Sequence, residues 1–394
     1  MKKLLMASAA SIALAGTTMA EEIKVGVNLA FTGPLESMAP AMTAAAETAF
    51  KEINDSGKLL DGVTVVPVRA DTTCIDAAAA VAAAERIVSS EGVKALVGGQ
   101  CSGETIATLE RVAVPNGVMM VSPSATSPAL TSISDNGLFF RTSPSDARQG
   151  EVLADIAIGQ GLTSAAITYT NNDYGKGLAD SFAQAFEAKG GKVTLSAAHD
   201  DGKADYSAEV AALAAAGGDT LFVAGYVDQG GSGVTRAALD TGAFDKFIFA
   251  DGMIGEELVN RFGSEVDGSI GIQPAADGEG TARFAEIAQA AGFNPTSAYA
   301  GETYDAAALL LLSIQAAGSY DPALMKEKVM EIANGPGEPI LPGELGKALE
   351  LLKEGKPIDY VGATSVNLIE PGESAGSFRE STIKDGKLEV VTYH

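Results

Sequence analysis

The sequence contains very few residues of the types that bind metals or transfer protons at neutral pH. Its 394 residues include two histidines, two cysteines and no tryptophan. Zinc and transition-metal sites are built mainly from clustered His and Cys, so we predict no metal site and no cofactor. Chemistry that needs an imidazole would depend on His199, because His394 is the terminal residue. We expect His199 to lie in solvent, in a polar loop before a helix.

Signatures of common enzymes are missing as well. No GxGxxG follows the first predicted strand, and Gly175-Lys176 is followed by Gly177 instead of the Ser or Thr of a Walker A loop. Neither GxSxG nor HExxH occurs. The sequence therefore predicts a protein that is not an enzyme. An enzyme that uses His199 with a nearby acid is the alternative.

Positive charge is scarce. The chain has 27 Lys and Arg against 51 Asp and Glu, which gives a formal net charge of −24. Non-specific binding to nucleic acid depends on basic side chains that neutralise phosphates, and adsorption to anionic lipid has the same requirement. The charge therefore argues against both partners, whereas the 46% of hydrophobic residues is typical of a globular protein.

An apolar run stands near the start of the chain. Lys2 and Lys3 precede an apolar run at 4–16, and Thr18-Met19-Ala20 offers small residues where a signal peptidase cuts. The run is too short to serve as a permanent membrane anchor. A lipoprotein would have a cysteine after the cut, and Glu21 stands there instead. We predict a signal peptide over residues 1–20 and an exported, soluble protein.

Cys74 and Cys101 are the only cysteines. An exported protein meets oxidising conditions, under which a disulfide forms readily. Such a bond would close a loop of about 28 residues and stabilise the fold by roughly 3 kcal/mol in the chain-entropy estimate. Two buried free thiols are the alternative.

Short β-rich runs alternate with amphipathic helical stretches along most of the chain. Residues 23–29, 63–68 and 94–97 read as strands, and residues 40–53 and 75–88 read as helices. Strand–helix alternation with apolar strands predicts parallel sheets covered on both faces. One sheet of so many strands would be unusually large, so we predict an α/β protein with two doubly wound, Rossmann-like lobes.

The chain crosses between the predicted lobes about three times. Residues 138–144 are expected to lead from the first lobe to the second and residues 271–274 to lead back, while the tail 378–393 reads as a hairpin that turns at Asp385-Gly386. Such a hinge permits bending. The predicted lobes are 21–141 with 275–365, and 142–274 with 366–394.

Ligands of open doubly wound sheets bind beyond the carboxyl ends of the strands. Polar or aromatic residues follow five predicted strands, two in the first lobe and three in the second. We therefore expect the loops to line a cleft between the lobes, which predicts an exported two-lobed binding protein. The loops are Cys101-Ser102-Gly103, Ser122-Pro123-Ser124-Ala125-Thr126, Asn171-Asn172-Asp173-Tyr174-Gly175, Tyr226 and Asp251.

Each of these residues also has an ordinary structural role as an alternative. Ser102 either caps the start of a helix or offers a hydroxyl to a small carboxylate. The polar residues of the 122–126 loop are either turn residues or ligand contacts. Tyr174 and Tyr226 are either half-buried aromatics or part of the cleft. Asp251 either caps a helix or pairs with a ligand ammonium.

The order and spacing of several short motifs resemble one family over essentially the whole chain after residue 20. It is the periplasmic solute-binding family of branched-chain amino acid ABC transporters, the Leu/Ile/Val-binding proteins with the type I periplasmic binding protein fold. The motifs are Ile23-Lys24-Val25-Gly26-Val27, Thr32-Gly33-Pro34, Cys74 with Cys101-Ser102, Ser122-Pro123-Ser124-Ala125-Thr126, Asp173-Tyr174-Gly175, Asp205-Tyr206-Ser207 and Glu302-Thr303-Tyr304-Asp305-Ala306.

The resemblance implies a disulfide between Cys74 and Cys101 and a role for each site residue. Ser102 and Thr126 would hold a ligand α-carboxylate through hydroxyl and backbone N–H groups. The carbonyl of Ser124, the hydroxyl of Thr126 and the carboxylate of Asp251 would receive the α-ammonium. The implied ligand-binding set is Met38, Ser102, Ser124, Ala125, Thr126, Tyr174, Tyr226, Asp251 and Tyr299, of which Tyr174 and Tyr226 would close from the second lobe and Tyr299 would lie near the side-chain pocket.

Two departures from the family pattern bear on the ligand. Asp251 stands where leucine-binding members commonly carry the longer Glu, and Met38 stands where members often carry an aromatic residue. The resemblance implies a periplasmic protein that delivers a branched-chain or other apolar amino acid to a membrane permease, and a monomer fits that shuttling role. Amides, urea and aromatic acids are alternative ligands, and a sensory module that presents its ligand to a receptor is an alternative role.

Overall fold

The computed structural model describes residues 21–394, so the predicted signal peptide lies outside the described residues. The described part of the chain forms two seven-stranded sheets and one two-stranded sheet. The strands are β1 (Glu22–Leu29), β2 (Thr64–Asp71), β3 (Ala95–Gly98), β4 (Met119–Ser122), β5 (Phe139–Pro144), β6 (Ser164–Thr170), β7 (Lys192–His199), β8 (Thr220–Ala224), β9 (Phe247–Phe249), β10 (Ile270–Pro274), β11 (Glu338–Ile340), β12 (Ile358–Tyr360), β13 (Leu368–Ile369), β14 (Glu373–Ser374), β15 (Phe378–Lys384) and β16 (Lys387–Tyr393).

Helices connect most of the strands and cover the sheets. They are α1 (Ala39–Ser56), α2 (Ala77–Glu91), α3 (Ser102–Thr108), α4 (Val114–Asn116), α5 (Asp146–Gly159), α6 (Asp173–Ala188), α7 (Ser207–Ala216), α8 (Gly230–Thr241), α9 (Glu256–Phe262), α10 (Glu279–Ala291), α11 (Ala300–Ala317), α12 (Pro322–Ala333) and α13 (Leu345–Lys353). Within residues 21–394, no helix combines the length and the apolar character needed to cross a membrane.

The two large sheets have the same strand order. The first is β13-β14-β5-β4-β3-β1-β2, and the second is β16-β15-β10-β9-β8-β6-β7. The first five strands of each sheet in chain order are parallel and follow the doubly wound order 2-1-3-4-5, whose switch point lies between strands 1 and 3. The predicted α/β fold with two doubly wound lobes is confirmed.

Local sequence explains where the elements form. β3 and β4 are apolar runs buried along their whole length, as expected of strands covered on both faces. Asp76 caps α2, because its carboxylate accepts the N–H groups of Ala78 and Ala79, and Gly92 ends that helix in the left-handed conformation. α11 is buried on nearly every side and forms the centre of the first lobe.

Three adjacent chain segments join the lobes, after β5, after β10 and after β14. Ser377 donates from Oγ to the carbonyl of Ala275 at 2.5 Å, and its backbone carbonyl accepts the N–H of Ala275 at 3.2 Å. These two bonds tie the second segment to the third. Gly376 has φ of +79°, and a Cβ there would lie 2.3 Å from Cβ of Pro144. The hinge is therefore packed tightly enough to require glycine.

Two expectations differ from the structure. β13 and β14 pair in the first sheet, so residues 368–374 belong with the first lobe, although the predicted edge at 365 assigned them to the second. His199 ends β7 and is 1% exposed instead of solvated. Its Nδ1 lies 2.8 Å from Oγ1 of Thr168, and its Nε2 has no partner.

The predicted disulfide between Cys74 and Cys101 is confirmed. The two Cα atoms are 5.3 Å apart, and both side chains are buried. The bond joins the loop after β2 to the loop after β3, directly before Ser102. It therefore fixes one wall of the space between the lobes.

Removing this bond should destabilise the protein. We expect the double variant Cys74→Ala/Cys101→Ala to lose about 3 kcal/mol of unfolding free energy, because the unfolded chain gains the entropy of an open loop. Urea unfolding without reductant measures the difference. Added reductant should destabilise the wild type and leave the variant unchanged, and equal midpoints for the two proteins without reductant would contradict the prediction.

The buried histidine should make stability depend on pH. Burial lowers the pKa of His199 to about 4, whereas the unfolded chain titrates near the usual value of about 6.5. The unfolded state therefore binds a proton that the folded state does not, and stability falls as pH drops through this window. Between pH 7 and pH 5 the loss should be about 2 kcal/mol.

Other buried acids titrate in the same range, so the measurement is a difference between variants. Urea unfolding at pH 7 and pH 5 should show a smaller loss for His199→Asn, whose amide can keep the bond to Thr168. His394→Asn, the matched control, should retain the wild-type loss. If His199→Asn and the wild type lose the same stability between pH 7 and pH 5, His199 is not a source of the pH dependence.

Candidate functional site

A small buried cavity lies between the lobes, at the carboxyl ends of the parallel strands. Its volume is about 10 Å³, the minimum that one water molecule needs, so the lobes are closed on each other. Loops from the switch points of both sheets enclose it. The lining residues are Leu35, Gln100, Cys101, Ser102, Ser124 and Tyr299 from the first lobe and Tyr174, Tyr226, Asp251 and Gly252 from the second.

Ser102 is the first residue of α3, immediately after the disulfide. Its Oγ accepts the backbone N–H groups of Thr126, at 3.1 Å, and Ser127, at 3.0 Å. These bonds join the loops after β3 and β4 and leave the Ser102 hydroxyl proton free to donate. Ser102 can therefore donate one hydrogen bond to a carboxylate oxygen in the cavity.

Asp251 accepts hydrogen bonds from tyrosines of both lobes. Tyr174 of the second lobe donates from its hydroxyl to Oδ1 at 2.7 Å, and Tyr299 of the first lobe donates to Oδ2. All three residues are buried. The bond to Tyr299 directly links the lobes.

Tyr174 also stacks on Tyr226, with ring centroids 5.1 Å apart and planes 8° from parallel. The hydroxyl of Tyr226 accepts from Nδ2 of Asn172 at 3.1 Å, and Oδ1 of the same Asn172 caps α6 by accepting the N–H of Gly175. The stacked pair therefore forms a rigid aromatic wall on the second lobe.

Tyr299 has an uncommon backbone conformation. Its φ is +61°, in the left-handed region that bulky residues seldom occupy. Such a residue carries backbone strain that the surrounding structure must offset. Here the hydrogen bond to Asp251 and burial of the ring hold the side chain in the space between the lobes.

The other predicted site residues occupy different parts of the region. Ser124 lines the cavity and donates from Oγ to the carbonyl of Gln100 at 2.8 Å. Ala125 is buried, and its carbonyl accepts from Arg141 at 3.0 Å. Thr126 is buried, and its Oγ1 has no partner.

Met38 lies in a second, larger space between the lobes. This cavity of about 460 Å³ shares no lining residue with the small one, although Met253 and Ala298 on its wall adjoin Gly252 and Tyr299 in the chain. Met38, Met253, Ile254 and Ala298 provide its apolar walls. Charged residues line other parts of it: Glu256, Glu257, Arg379 and Lys387.

Sequence reasoning missed several residues of the site. Gln100 lines the cavity and accepts from the N–H of Ala30, at 2.9 Å, through Oε1. Asp146 begins α5 and is completely buried next to Thr126. The sequence predicts a crossing between the lobes over residues 138–144, and a crossing segment does not by itself indicate a binding loop. The rule that was applied to the other strand ends would have found Asp146.

The acidic side chains of the site are buried and have no bonded cation, and this burial has the largest effect on their pKa values. It raises the pKa of Asp251 and raises that of Asp146 further, with the charge of Asp251 adding to the effect on Asp146. Burial also raises the pKa values of Tyr174, Tyr226 and Tyr299, so these hydroxyls stay protonated and donate. The site therefore presents hydroxyl donors and two carboxyl groups whose ionised forms no bonded cation stabilises.

Further hydrogen bonds hold the closed arrangement. Asp228 of the second lobe accepts from the N–H of Ser37 at 2.9 Å, and its own N–H donates to the carbonyl of Pro34 at 3.1 Å. Ser127 donates from Oγ to the carbonyl of Asp173 at 3.0 Å. A ligand can enter only if these contacts break.

The described residues offer one grouping with metal-ligand geometry, Cys74, Cys101 and Glu104. The two sulfur atoms are bonded to each other, so neither is available as a thiolate ligand. Glu104 instead accepts the N–H of Cys101 at 2.8 Å. This cluster braces the loop before Ser102.

Comparison with known proteins places this geometry in context. Residues 22–335 match a family model described as periplasmic binding protein. The Leu/Ile/Val-binding protein homolog 1 of Brucella melitensis is 30% identical over 370 residues, which cover 89% of this chain and 96% of that protein.

Two solved structures share the fold. A branched-chain amino acid transporter substrate binding protein of Streptococcus pneumoniae, in complex with isoleucine, superposes with a TM-score of 0.77 at 22% identity and covers 94% of this chain and 99% of that one. An ABC transporter solute binding protein of R. palustris, in complex with 4-hydroxybenzoate, gives 0.76 at 20% identity, with 95% and 97% covered.

The bond between Tyr299 and Asp251 should help to keep the ligand-free lobes together. We expect Tyr299→Phe to increase the radius of gyration of the ligand-free protein, measured by small-angle X-ray scattering. Tyr360→Phe is a matched control, because Tyr360 donates to Asp305 at 2.8 Å within the first lobe. It should reduce stability by about 1–3 kcal/mol without opening the lobes. An unchanged radius in Tyr299→Phe would show that this bond does not favour closure.

Proposed function

Because this chain belongs to the periplasmic binding protein family, we propose that it captures a small solute outside the cytoplasm and delivers it to an ABC transporter. The proposed ligand is an amino acid with an apolar side chain, with leucine, isoleucine and valine as first choices. The family and fold are those of solute-binding proteins. A monomer suits a protein that must diffuse between solution and a membrane permease.

One observation carries the choice of ligand: the buried space has donors on one side and a carboxylate on the other. Ser102 has a hydroxyl proton free to donate, which suits an α-carboxylate. Asp251 offers negative charge in a water-poor cavity, where it can bind an α-ammonium strongly. These two groups support a zwitterion.

The neighbouring cavity supports an apolar side chain. Met38, Met253, Ile254 and Ala298 line part of it, and Met253 and Ala298 adjoin Gly252 and Tyr299 of the small cavity in the chain. A branched aliphatic side chain placed there would gain about 0.8 kcal/mol for each buried methylene. The relatives named for leucine, isoleucine and valine agree with this choice.

The proposed cycle is mechanical. The ligand binds to the open first lobe, and the second lobe then adds Tyr174, Tyr226 and Asp251. A ligand favours closure only by the difference between its affinities for the closed and open forms. The closed protein docks on a permease, and ATPases that are separate protein chains drive transport.

An aromatic acid is a second candidate ligand. The R. palustris structure with 4-hydroxybenzoate has nearly the same TM-score as the structure with isoleucine. The stacked tyrosines Tyr174 and Tyr226 could hold a ring. A sensory role is an alternative use of the same binding event, and neighbouring genes for a kinase or chemoreceptor would favour it over transport.

A thermal-shift screen of ligand-stripped protein tests the proposal. The solutes are the common amino acids, small amides, urea and aromatic acids, and a ligand at a thousand times its Kd should stabilise by about 4 kcal/mol. We expect leucine, isoleucine or valine to give the largest shift. A response to aromatic acids alone would contradict the proposed ligand while leaving the solute-binding role intact.

Asp251→Asn should weaken leucine binding by roughly thirtyfold or more, because the ammonium loses its charged partner in a buried site. Isothermal titration calorimetry measures the change. Asp240→Asn on the exposed surface of α8 is the control and should bind as the wild type does. Equal affinities for Asp251→Asn and the wild type would show that Asp251 does not contact the ammonium.

A further inference from the structure

Both carboxylate oxygens of Asp146 are buried, and neither has a partner at hydrogen-bond distance and angle. Burial raises the pKa of this carboxyl more than the nearby hydroxyl of Thr126 lowers it. The Asp146 side chain is 0% exposed. The backbone of the same residue is well placed, since its N–H donates to the carbonyl of Thr126 at 2.8 Å. A buried carboxylate without a partner is costly, so this side chain requires an explanation that the fold itself does not provide.

The neighbours of Asp146 are also incompletely bonded. Oγ1 of Thr126 and both amide atoms of Gln149 are buried and have no partner. Thr126 lies next to the Asp146 carboxylate, and Gln149 lies next to the Asp251 carboxylate. Unpartnered atoms from the loop after β4 in the first lobe and from α5 in the second lobe therefore lie near the carboxylate of Asp251.

The charged and titratable groups that act on Asp146 do not neutralise it. Asp251 repels it, and the hydroxyls of Tyr174 and Tyr299 are already committed to Asp251. Arg141 is the cation that acts on it, but this guanidinium binds Glu373 at 2.5 Å and the carbonyl of Ala125 at 3.0 Å. No bonded cationic side chain therefore stabilises the ionised form of either carboxyl group.

We propose that Asp146 is a second anionic contact of the ligand site, and that Asp146 and Asp251 together hold a positively charged nitrogen of the ligand. This inference rests on the proposed function and makes it more specific. Two carboxylates around one cationic group select for solutes that carry an ammonium. They also reject acids that lack one, because such an acid would leave both carboxylates unpaired beside its own negative charge.

The pair also sets a pH dependence. Burial and mutual repulsion raise the pKa values of both carboxyls, and the ligand ammonium binds their ionised form. Affinity should therefore fall as pH is lowered and the pair takes up protons. A residue that only supported the fold would not alter this profile.

Isothermal titration calorimetry with two probes tests the proposal: L-leucine, and 4-methylpentanoate, which is leucine without its amino group. Asp146→Asn should weaken leucine binding by roughly tenfold or more and should leave 4-methylpentanoate binding unchanged or stronger. The fall in leucine affinity between pH 8 and pH 5.5 should be smaller in Asp146→Asn than in the wild type. Asp155→Asn, on the exposed face of the same helix, should match the wild type.

Circular dichroism shows whether Asp146→Asn is folded, and Asp146→Ala, with the same expected losses, replaces it if it is not. Leucine affinity and selectivity that are unchanged in the folded variant would overturn the role of Asp146 and leave the proposed function standing. A wild-type protein whose best ligand in the screen lacks a cationic nitrogen would overturn both. Weaker binding of both probes to the same extent would assign Asp146 a structural role and overturn the proposed selectivity.

Discussion

Two carboxyl groups buried between the lobes, with no cationic side chain bonded to them, are the constraint on which the rest of this structure depends. Asp251 is stabilised by two tyrosine hydroxyls, one from each lobe, and Asp146 has no hydrogen-bond partner for its carboxylate. Burying such groups is unfavourable unless something binds them. A cationic ligand group would offset this cost, and it would do so only when the lobes are closed. Affinity and closure therefore have the same physical origin.

The fold delivers these groups to one place because both sheets have the same strand order. The switch points of the two sheets face each other, and Ser102, Tyr174 and Tyr226 each follow a strand that borders one. The disulfide at Cys101 and the bonds between Ser102 and the next loop then hold the first-lobe wall in position. The site is thus the product of topology first and of local side-chain chemistry second.

Much of this arrangement was predictable from the sequence, because apolar strands and capped helices are local patterns. The tail forms the expected hairpin at Asp385-Gly386, and each of the five loops taken from strand ends contributes at least one residue to the cavity. Burial of His199 was not predictable, since its flanking residues are polar and its ring is covered by distant elements. The strands at 368–374 are too short to show which sheet they join. Asp146 was missed because a crossing segment was assumed to lie outside the site.

The close packing of Gly376 against Pro144 in the hinge can influence affinity without influencing selectivity. A substitution in these crossings changes the fraction of molecules that can reach the closed form. The apparent affinity for every ligand then changes by the same factor, because each apparent affinity is the intrinsic affinity multiplied by the fraction of molecules that can close. Ratios between ligands stay fixed, because the cleft residues are untouched. The hinge can therefore adapt the protein to the concentration of its solute, while the cleft alone decides which solute it takes.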